Sequence, residues 1–97
     1  MKEPAFSPAS VDDLRDILVR ISKDKPEAAK RFVATLKSKC FLLATTPEIG
    51  SARDDLSPGL RAFSVGNYVI YYHPTDFGIR DERVLHGARD MGAMFWR

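Results

Sequence analysis

Three consecutive β-strands, joined by short turns, are predicted in the second half of the chain and constrain its fold most. The segments 60–65 and 68–73 are rich in β-branched and aromatic residues, and Gly66-Asn67 between them is typical of a two-residue hairpin turn. A second turn over 74–78 leads to a third strand, which begins at residue 79 or 80 and ends at 86. Such a meander is stable only when one face is covered, so the preceding residues must supply a second layer.

Two amphipathic helices are predicted ahead of these strands. Ser7-Pro8 is a favourable helix start, with serine as the N-cap and proline at the first helical position, and Ser10 offers a cap one turn later. The first helix is expected to end near Lys23, and Pro26 lies in the first turn of the second. The apolar faces consist of Val11, Leu14, Ile17, Leu18 and Ile21 in the first helix, and of Ala29, Phe32, Val33, Leu36, Cys40 and Leu43 in the second.

The order of elements predicts an α+β fold. A short edge strand is expected at 3–6, limited by Pro4 and Pro8, and an ordered loop at 47–59. The short link between the helices makes them an antiparallel hairpin. The predicted fold is therefore β-α-α-β-β-β in a single domain over 1–97, with the helical hairpin packed on a small twisted antiparallel β-sheet.

Composition narrows the function only slightly. The net charge is +2, with 15 basic and 13 acidic residues, so no nucleic-acid partner is indicated by charge alone. Cys40 is the single cysteine, which excludes an internal disulfide, and its place in an apolar helical face indicates a buried residue. No signal peptide or membrane span is apparent, and a cytoplasmic location is expected.

Motifs for common catalytic classes are absent from the sequence. There is no Gly-x-Ser-x-Gly turn for a nucleophilic serine, and no phosphate-binding or dinucleotide-binding glycine motif. His73 and His86 are predicted on different strands, without cysteine or paired carboxylates at ligand spacing, so no metal site is expected. No cofactor is expected either.

Three motifs in order give the sequence a family resemblance. Pro-Glu-Ile-Gly at 47–50, Gly-Leu-Arg-Ala-Phe-Ser-Val-Gly-Asn-Tyr at 59–68 and Arg-Val-Leu-His-Gly-Ala-Arg-Asp at 83–90 resemble the ParE branch of the RelE/ParE toxins of bacterial toxin–antitoxin modules. The last of the three is the most specific. The matching residues are Pro47, Gly50, Leu60, Arg61, Val65, Gly66, Tyr68, Ile70, Tyr72, Arg83, Val84, Leu85, His86, Gly87, Arg89 and Asp90.

The resemblance implies a toxin that acts by binding and performs no chemistry of its own. ParE-like proteins poison DNA gyrase and are neutralised by a ParD-like antitoxin, whose C-terminal segment folds on the toxin. We therefore expect a toxin–antitoxin hetero-oligomer without sequence-specific nucleic-acid binding. The implied target-binding candidates are Arg61, Arg83, His86, Arg89, Phe95 and Trp96, and the antitoxin-binding candidates are Leu14, Leu18, Phe32, Leu36 and Phe63.

Two alternatives stay open at the level of sequence. One is a RelE-like, ribosome-dependent mRNA endoribonuclease that uses Arg61, Arg89 and His86, although the tail carries Phe95-Trp96 where such enzymes have a proton-transferring Tyr or His. The other is a member that keeps the fold and binds antitoxin but is no longer toxic. Structural roles are also open, since Arg83 and Arg89 could pair with nearby acids, namely Glu82, Asp81 and Asp90.

Overall fold

Two helices pack against one face of a five-stranded sheet in the computed structural model, which describes residues 1–87. The α+β architecture predicted from the sequence is thus confirmed. The strands lie in the order β1-β5-β4-β3-β2. The elements are β1 (Glu3–Phe6), α1 (Pro8–Ser22), α2 (Pro26–Thr45), a 3-10 turn (Pro47–Ile49), β2 (Ser51–Ala52), β3 (Arg61–Val65), β4 (Tyr68–Thr75) and β5 (Gly78–His86).

The sheet differs from the sequence prediction in two ways. It is mixed and not wholly antiparallel, because β1 runs parallel to β5. A parallel pair needs a long crossover, and here the crossover contains both helices and three strands. The loop predicted over 47–59 also contains the 3-10 turn and the two-residue strand β2, which pairs with the start of β3.

The starts of α1 and of the β3–β4 hairpin follow from local chemistry. The Ser7 Oγ atom accepts a hydrogen bond from the Ser10 N–H group at 3.0 Å, so the earlier of the two predicted caps is the one used. It also donates to the carbonyl of Glu82 at 2.9 Å, which ties the helix start to β5. Gly66 has a φ of 58° in the turn between β3 and β4, as a two-residue hairpin with glycine first requires.

A β-bulge in β5 decides which side chains face the helices. Tyr71 is opposite Arg83 while Tyr72 is opposite Asp81, so Glu82 is an extra residue in β5. The extra residue shifts the alternation of faces, and Ile79 and Val84 therefore both join the core beneath the helices. That core also contains Leu14, Ile17, Leu36, Cys40, Leu43, Ala44, Val65, Ile70 and Tyr72.

The other face of the sheet has a small core of its own. Leu56 and Leu60, from the loop before β3, pack with Tyr71 and Leu85 there. Adjacent Tyr71 and Tyr72 thus serve two different cores. Neither helix in the described part of the chain is long and apolar enough to cross a bilayer.

Candidate functional site

An apolar groove lies between the two helices and is called the helix groove below. Its volume is about 380 Å³. The residues of α1 that line the groove are spaced three and four apart, and those of α2 are spaced four apart. Residues at these spacings lie on one face of a helix, so each helix lines the groove with a single face. The lining residues are Phe6 of β1, Val11, Leu14, Arg15 and Leu18 of α1, and Val33, Lys37 and Phe41 of α2.

Unequal helix lengths explain why part of the groove is open. The helix α2 has 20 residues and α1 has 15, so α2 is about 7 Å longer at the axial rise of an α-helix. In an antiparallel hairpin with a short link, the excess extends beyond the first turn of α1. Phe41 and Leu42 lie in this excess and remain 52% and 43% exposed. Exposed aromatic area beside an apolar groove is a common mark of a protein-binding surface.

Two of the antitoxin-binding candidates line the helix groove. Leu18 is half-buried and Leu14 is almost covered, yet both side chains border it. Leu36 is fully buried in the core, and Phe32 and Phe63 are half-buried and pack against the same core. Phe32 also contacts Tyr68, with ring centroids 5.5 Å apart.

Sequence reasoning missed Val11 and Phe41 as surface residues of this groove. Val11 was placed on the apolar face of α1 and Phe41 was not singled out. A signal existed, because Val33, Lys37 and Phe41 follow one another at intervals of four residues on α2. What the sequence did not show is that α1 is too short to cover the last of these positions.

Two cations stand among the groove residues. Lys37 is exposed, and Arg15 makes an exposed ion pair with Asp12 at 3.3 Å. An exposed pair of this kind contributes little to stability, so Arg15 can exchange Asp12 for an acid of a partner. The groove therefore suits an apolar segment that carries acidic side chains at its margin.

Arg61 is held by the protein's own backbone. Its guanidinium donates to the carbonyl of Gly50 through Nε at 2.9 Å and to that of Glu48 through Nη2 at 3.0 Å. The Tyr72 hydroxyl binds the same turn, donating to the Pro47 carbonyl at 2.7 Å and accepting from the Gly50 N–H group at 3.0 Å. A Cβ atom at Gly50 would overlap the Tyr72 hydroxyl. Four family-matching residues are thus joined by hydrogen bonds in one cluster, which is called the latch below: Pro47, Gly50, Arg61 and Tyr72.

Arg83 joins α1 to β5. Its Nε and Nη2 atoms each donate to the Asp13 carboxylate at 2.8 Å, and the Val84 N–H group donates to the same carboxylate at 2.9 Å. Asp13 raises the pKa of Arg83. Among the acids within residues 1–87, the partner is therefore Asp13 on α1, and not Glu82 or Asp81.

The structure places two of the three residues of the nuclease alternative, Arg61 and His86, far apart. Arg61 is opposite Tyr72 of β4, whereas His86 is opposite Tyr68, four residues away along the same strand. That offset is about 13 Å. His86 is exposed, and its ring contacts Tyr68 edge-on at 5.3 Å. The remaining candidates, Arg89, Phe95 and Trp96, lie outside the described residues.

Neither histidine belongs to a metal-binding cluster in the described part of the chain. The Nδ1 atom of His73 lies 2.8 Å from a Glu82 carboxylate oxygen, and its Nε2 atom lies 3.2 Å from the Pro58 carbonyl. Within residues 1–87, no three His, Cys, Asp or Glu side chains come together as a metal ion would require.

A buried carboxylate lies behind the helix groove. Asp81 of β5 is fully buried, and within residues 1–87 neither of its carboxylate oxygens accepts a well-formed hydrogen bond. Burial raises its pKa to about 6, a weak interaction with the Cys40 thiol partly offsets this, and the charge of Glu82 adds to the rise. Burial also raises the pKa of the Cys40 thiol, with a further contribution from Asp81.

Comparisons with known proteins show the family and the fold of this chain. The model of a family described as "ParE toxin of type II toxin-antitoxin system, parDE" matches residues 5–91. Toxin ParE1 of Mycobacterium tuberculosis (strain CDC 1551 / Oshkosh) is 33% identical over 66 residues, which cover 67% of this chain and 67% of that protein. A solved structure described as "Chromosomal ParDE TA system from P. aeruginosa" has a TM-score of 0.75 at 18% identity, covering 89% of this chain and 96% of that one. This last likeness shows the fold.

Proposed function

Since this chain belongs to the ParE toxin family of type II toxin–antitoxin systems, we propose that it inhibits DNA gyrase by binding and is neutralised by a ParD-like antitoxin. The observation that carries the proposal is the helix groove, an apolar surface that can bind a protein segment, in a member of this family. The action is protein binding, without bond chemistry by the toxin.

The helix groove is the proposed seat of the antitoxin's C-terminal segment. Leu14 and Leu18 border it, and Phe41 offers exposed aromatic area at its open end. An amphipathic helix fits such a groove with apolar side chains at intervals of three and four residues. Acidic residues at the margin of that helix would meet Arg15 and Lys37.

The outer edge of β3 is a second proposed contact for the antitoxin. Arg61 and Ala62 pair with β2, but within residues 1–87 no strand pairs with residues 63–65 on that side. Unpaired N–H and C=O groups at a sheet edge accept an added strand. Phe63 is the antitoxin-binding candidate that lies on this edge.

The gyrase contact is proposed around the end of β5. His86 is exposed there. The sequence that follows β5 carries the other candidates, Arg89, Phe95 and Trp96. Arg83 supports this end of the strand by fixing it to α1. Arg61 has a structural role in the latch, and its part in target binding would be indirect.

A gyrase assay tests the proposed activity. Purified protein is mixed with gyrase, supercoiled plasmid and ATP, and the DNA is examined after protease digestion. We expect linear DNA that depends on gyrase and disappears when antitoxin is added. Cleavage of translating mRNA in place of linear plasmid would overturn the proposal in favour of the endoribonuclease, and His86 would be the residue to substitute. Absence of both linear plasmid and cleaved mRNA would favour a non-toxic family member that binds antitoxin.

The antitoxin seat is tested by two neighbouring substitutions on α2. Phe41→Glu places a charge in the groove, whereas Leu42→Glu changes an adjacent exposed residue that does not line it. We expect Phe41→Glu to weaken binding of the antitoxin's C-terminal segment about 30-fold, as for loss of one interface anchor. Leu42→Glu is expected to change it less than threefold or so. Equal affinities of the two variants, measured by calorimetry, would exclude the groove as the seat.

A further inference from the structure

Asp81 lies at the junction of β1, β5 and α2. Its neighbours across the sheet are Phe6 of β1 and Tyr72 of β4, and its carbonyl accepts the Ser7 N–H group at 3.0 Å. Its side chain is fully buried on the side of the sheet that Cys40 of α2 covers. The carboxylate therefore sits where β1 and α2 meet.

Within residues 1–87, the groups near Asp81 that could donate to its ionised carboxylate are engaged elsewhere or are weak donors. On β4, the Tyr72 hydroxyl is bound to Pro47 and Gly50. On β5 itself, Glu82 has the same charge as an ionised Asp81, and it is held by His73 and Arg80.

The two helices and β1 do not satisfy it either. The Cys40 thiol of α2 is only a weak donor. Arg83, the cation two residues along β5, donates to Asp13 of α1. The adjoining residues of β1 and its end, Phe6 and Ser7, carry no charge.

The protonation state of Asp81 therefore matters to the packing around it. The neutral acid can stay buried at modest cost, whereas an ionised carboxylate needs strong donors, and the described residues around Asp81 provide none. Separation of β1 from α2 would admit water to Asp81. Burial raises the pKa of Asp81 from 3.8 to about 6. The folded protein therefore keeps this carboxyl protonated up to a higher pH than the unfolded chain does.

Two residues beside this junction, Phe6 and Phe41, line the helix groove and are called the groove floor below. Phe6 is the residue opposite Asp81 in the parallel pair and lines the groove from β1. Phe41 follows Cys40 directly in α2 and lines the groove from the other side. Movement of β1 away from α2 would therefore separate two walls of the groove.

We propose that Asp81 is a proton-operated support of the helix groove: its neutral form holds β1 and α2 together, and its ionised form opens the groove floor. The groove floor is then intact at mildly acidic pH, and β1 separates from α2 more often as pH rises. That the groove receives an antitoxin rests on the proposed function, but the opening itself does not.

Amide hydrogen exchange tests the opening in the free protein. The Ser7 amide reports on the β1 end beside Asp81, and the Ile70 amide in the core of β4 reports on unfolding of the whole molecule. At pH 7.5 we expect the Ser7 amide to exchange about tenfold faster in the wild type than in Asp81→Asn, and at nearly the same rate in both at pH 3.5. Asp76→Asn removes an exposed acid from the β4–β5 turn and is the control, with no expected change.

Two results would overturn the inference. One is an equal rate for Ser7 in the wild type and in Asp81→Asn at pH 7.5. The other is the same protection for Ser7 and Ile70 in the wild type at that pH, because opening would then involve the whole molecule.

A second variant tests the same idea if Asp81→Asn does not fold. Cys40→Ala removes a group that favours the ionised carboxylate, so the pH at which Ser7 loses protection should move upward. An unchanged or lower transition pH would count against the role of Asp81.

Binding experiments separate this inference from the proposed function. With the antitoxin's C-terminal segment as probe, the wild type should lose about tenfold in affinity between pH 5 and 7.5 relative to Asp81→Asn at each pH. Binding with the same pH dependence in both proteins would refute the coupling. Absence of binding at every pH would refute the antitoxin seat, while the exchange data would still decide whether the floor opens.

Discussion

Two buried aspartates join the helices to β5 in opposite ways. Asp13 of α1 accepts two hydrogen bonds from Arg83 and one from the Val84 N–H group. Asp81 of β5 faces α2 with no strong donor for its carboxylate among the described residues. The first junction is held by charge, and the second is more stable with the neutral acid. The protein thus has one rigid and one pH-sensitive attachment between its two layers.

This difference follows from the number of donors that meet each carboxylate. A buried ion pair with complete hydrogen bonding holds its geometry, although removing one partner leaves a costly charge behind. A buried carboxylate without donors avoids that cost by keeping its proton. The rigid junction lies towards the proposed gyrase-binding end of β5, and the pH-sensitive one lies behind the proposed antitoxin seat.

Removing Asp13 should break the rigid junction and give the largest effect. We expect Asp13→Ala to lower the free energy of unfolding by about 4 kcal/mol, because Arg83 and the Val84 N–H group both lose their acceptor. Asp12→Ala removes an exposed acid one residue away and should cost less than about 0.5 kcal/mol. Urea unfolding of the two variants measures the difference. A loss below about 1 kcal/mol for Asp13→Ala would show that the two junctions do not differ as described.

Replacing Asp81 should have the reverse sign and depend on pH. The folded-state pKa of Asp81 is raised from 3.8 to about 6, so the stability it provides is present below 3.8 and is lost as pH rises through about 6. At about 1.4 kcal/mol per pKa unit, the loss reaches about 3 kcal/mol. Asp81→Asn should therefore be more stable than the wild type at pH 7.5, by up to about 3 kcal/mol, with little difference at pH 3.5.

Urea unfolding between pH 3.5 and 7.5 measures this prediction. A wild-type and variant difference that stays constant with pH would mean that Asp81 has the same charge in the folded and unfolded protein. In that case its burial would not distinguish it from Asp13.

The Tyr72 hydroxyl is a third buried polar group, and its hydrogen-bond partners are uncharged backbone groups. Removing it should give the smallest change in stability of the three substitutions. Tyr72→Phe removes the hydroxyl that bridges Pro47 and Gly50, at an expected cost of about 1–2 kcal/mol. Tyr68→Phe is the control, since the Tyr68 hydroxyl makes no hydrogen bond with another side chain or backbone group of residues 1–87, and the change should cost less than about 0.5 kcal/mol. Thermal unfolding of both variants tests the order. Equal losses of stability in the two variants would show that the hydrogen bonds of the latch do not stabilise the fold.

Local sequence signals predicted the helices, the central strands and the tight turn at Gly66. They act over one or two turns of chain, so Ser7 and Pro8 suffice to start α1. They did not predict that β1 is parallel to β5 or that Glu82 is a bulge. Both depend on the register of strands that are far apart in sequence.

The sequence was less informative about the candidate site. Leu14 and Leu18 were correctly placed on an apolar helix face, but only the structure distinguishes them from buried Leu36. Arg61 and Arg83 were expected from family resemblance to meet a target. The structure gives both of them internal partners, in the 47–50 turn and at Asp13.

By itself, the sequence determined the kind and order of the elements and, through three motifs, the ParE family. The tertiary structure decided which polar groups became partners. Asp13 and Arg83 are 70 residues apart, and the bulge at Glu82 sets which side of β5 meets the helices. Propensity and periodicity describe neighbours along the chain, whereas the burial of Asp81 and the open end of the helix groove depend on how separate elements pack.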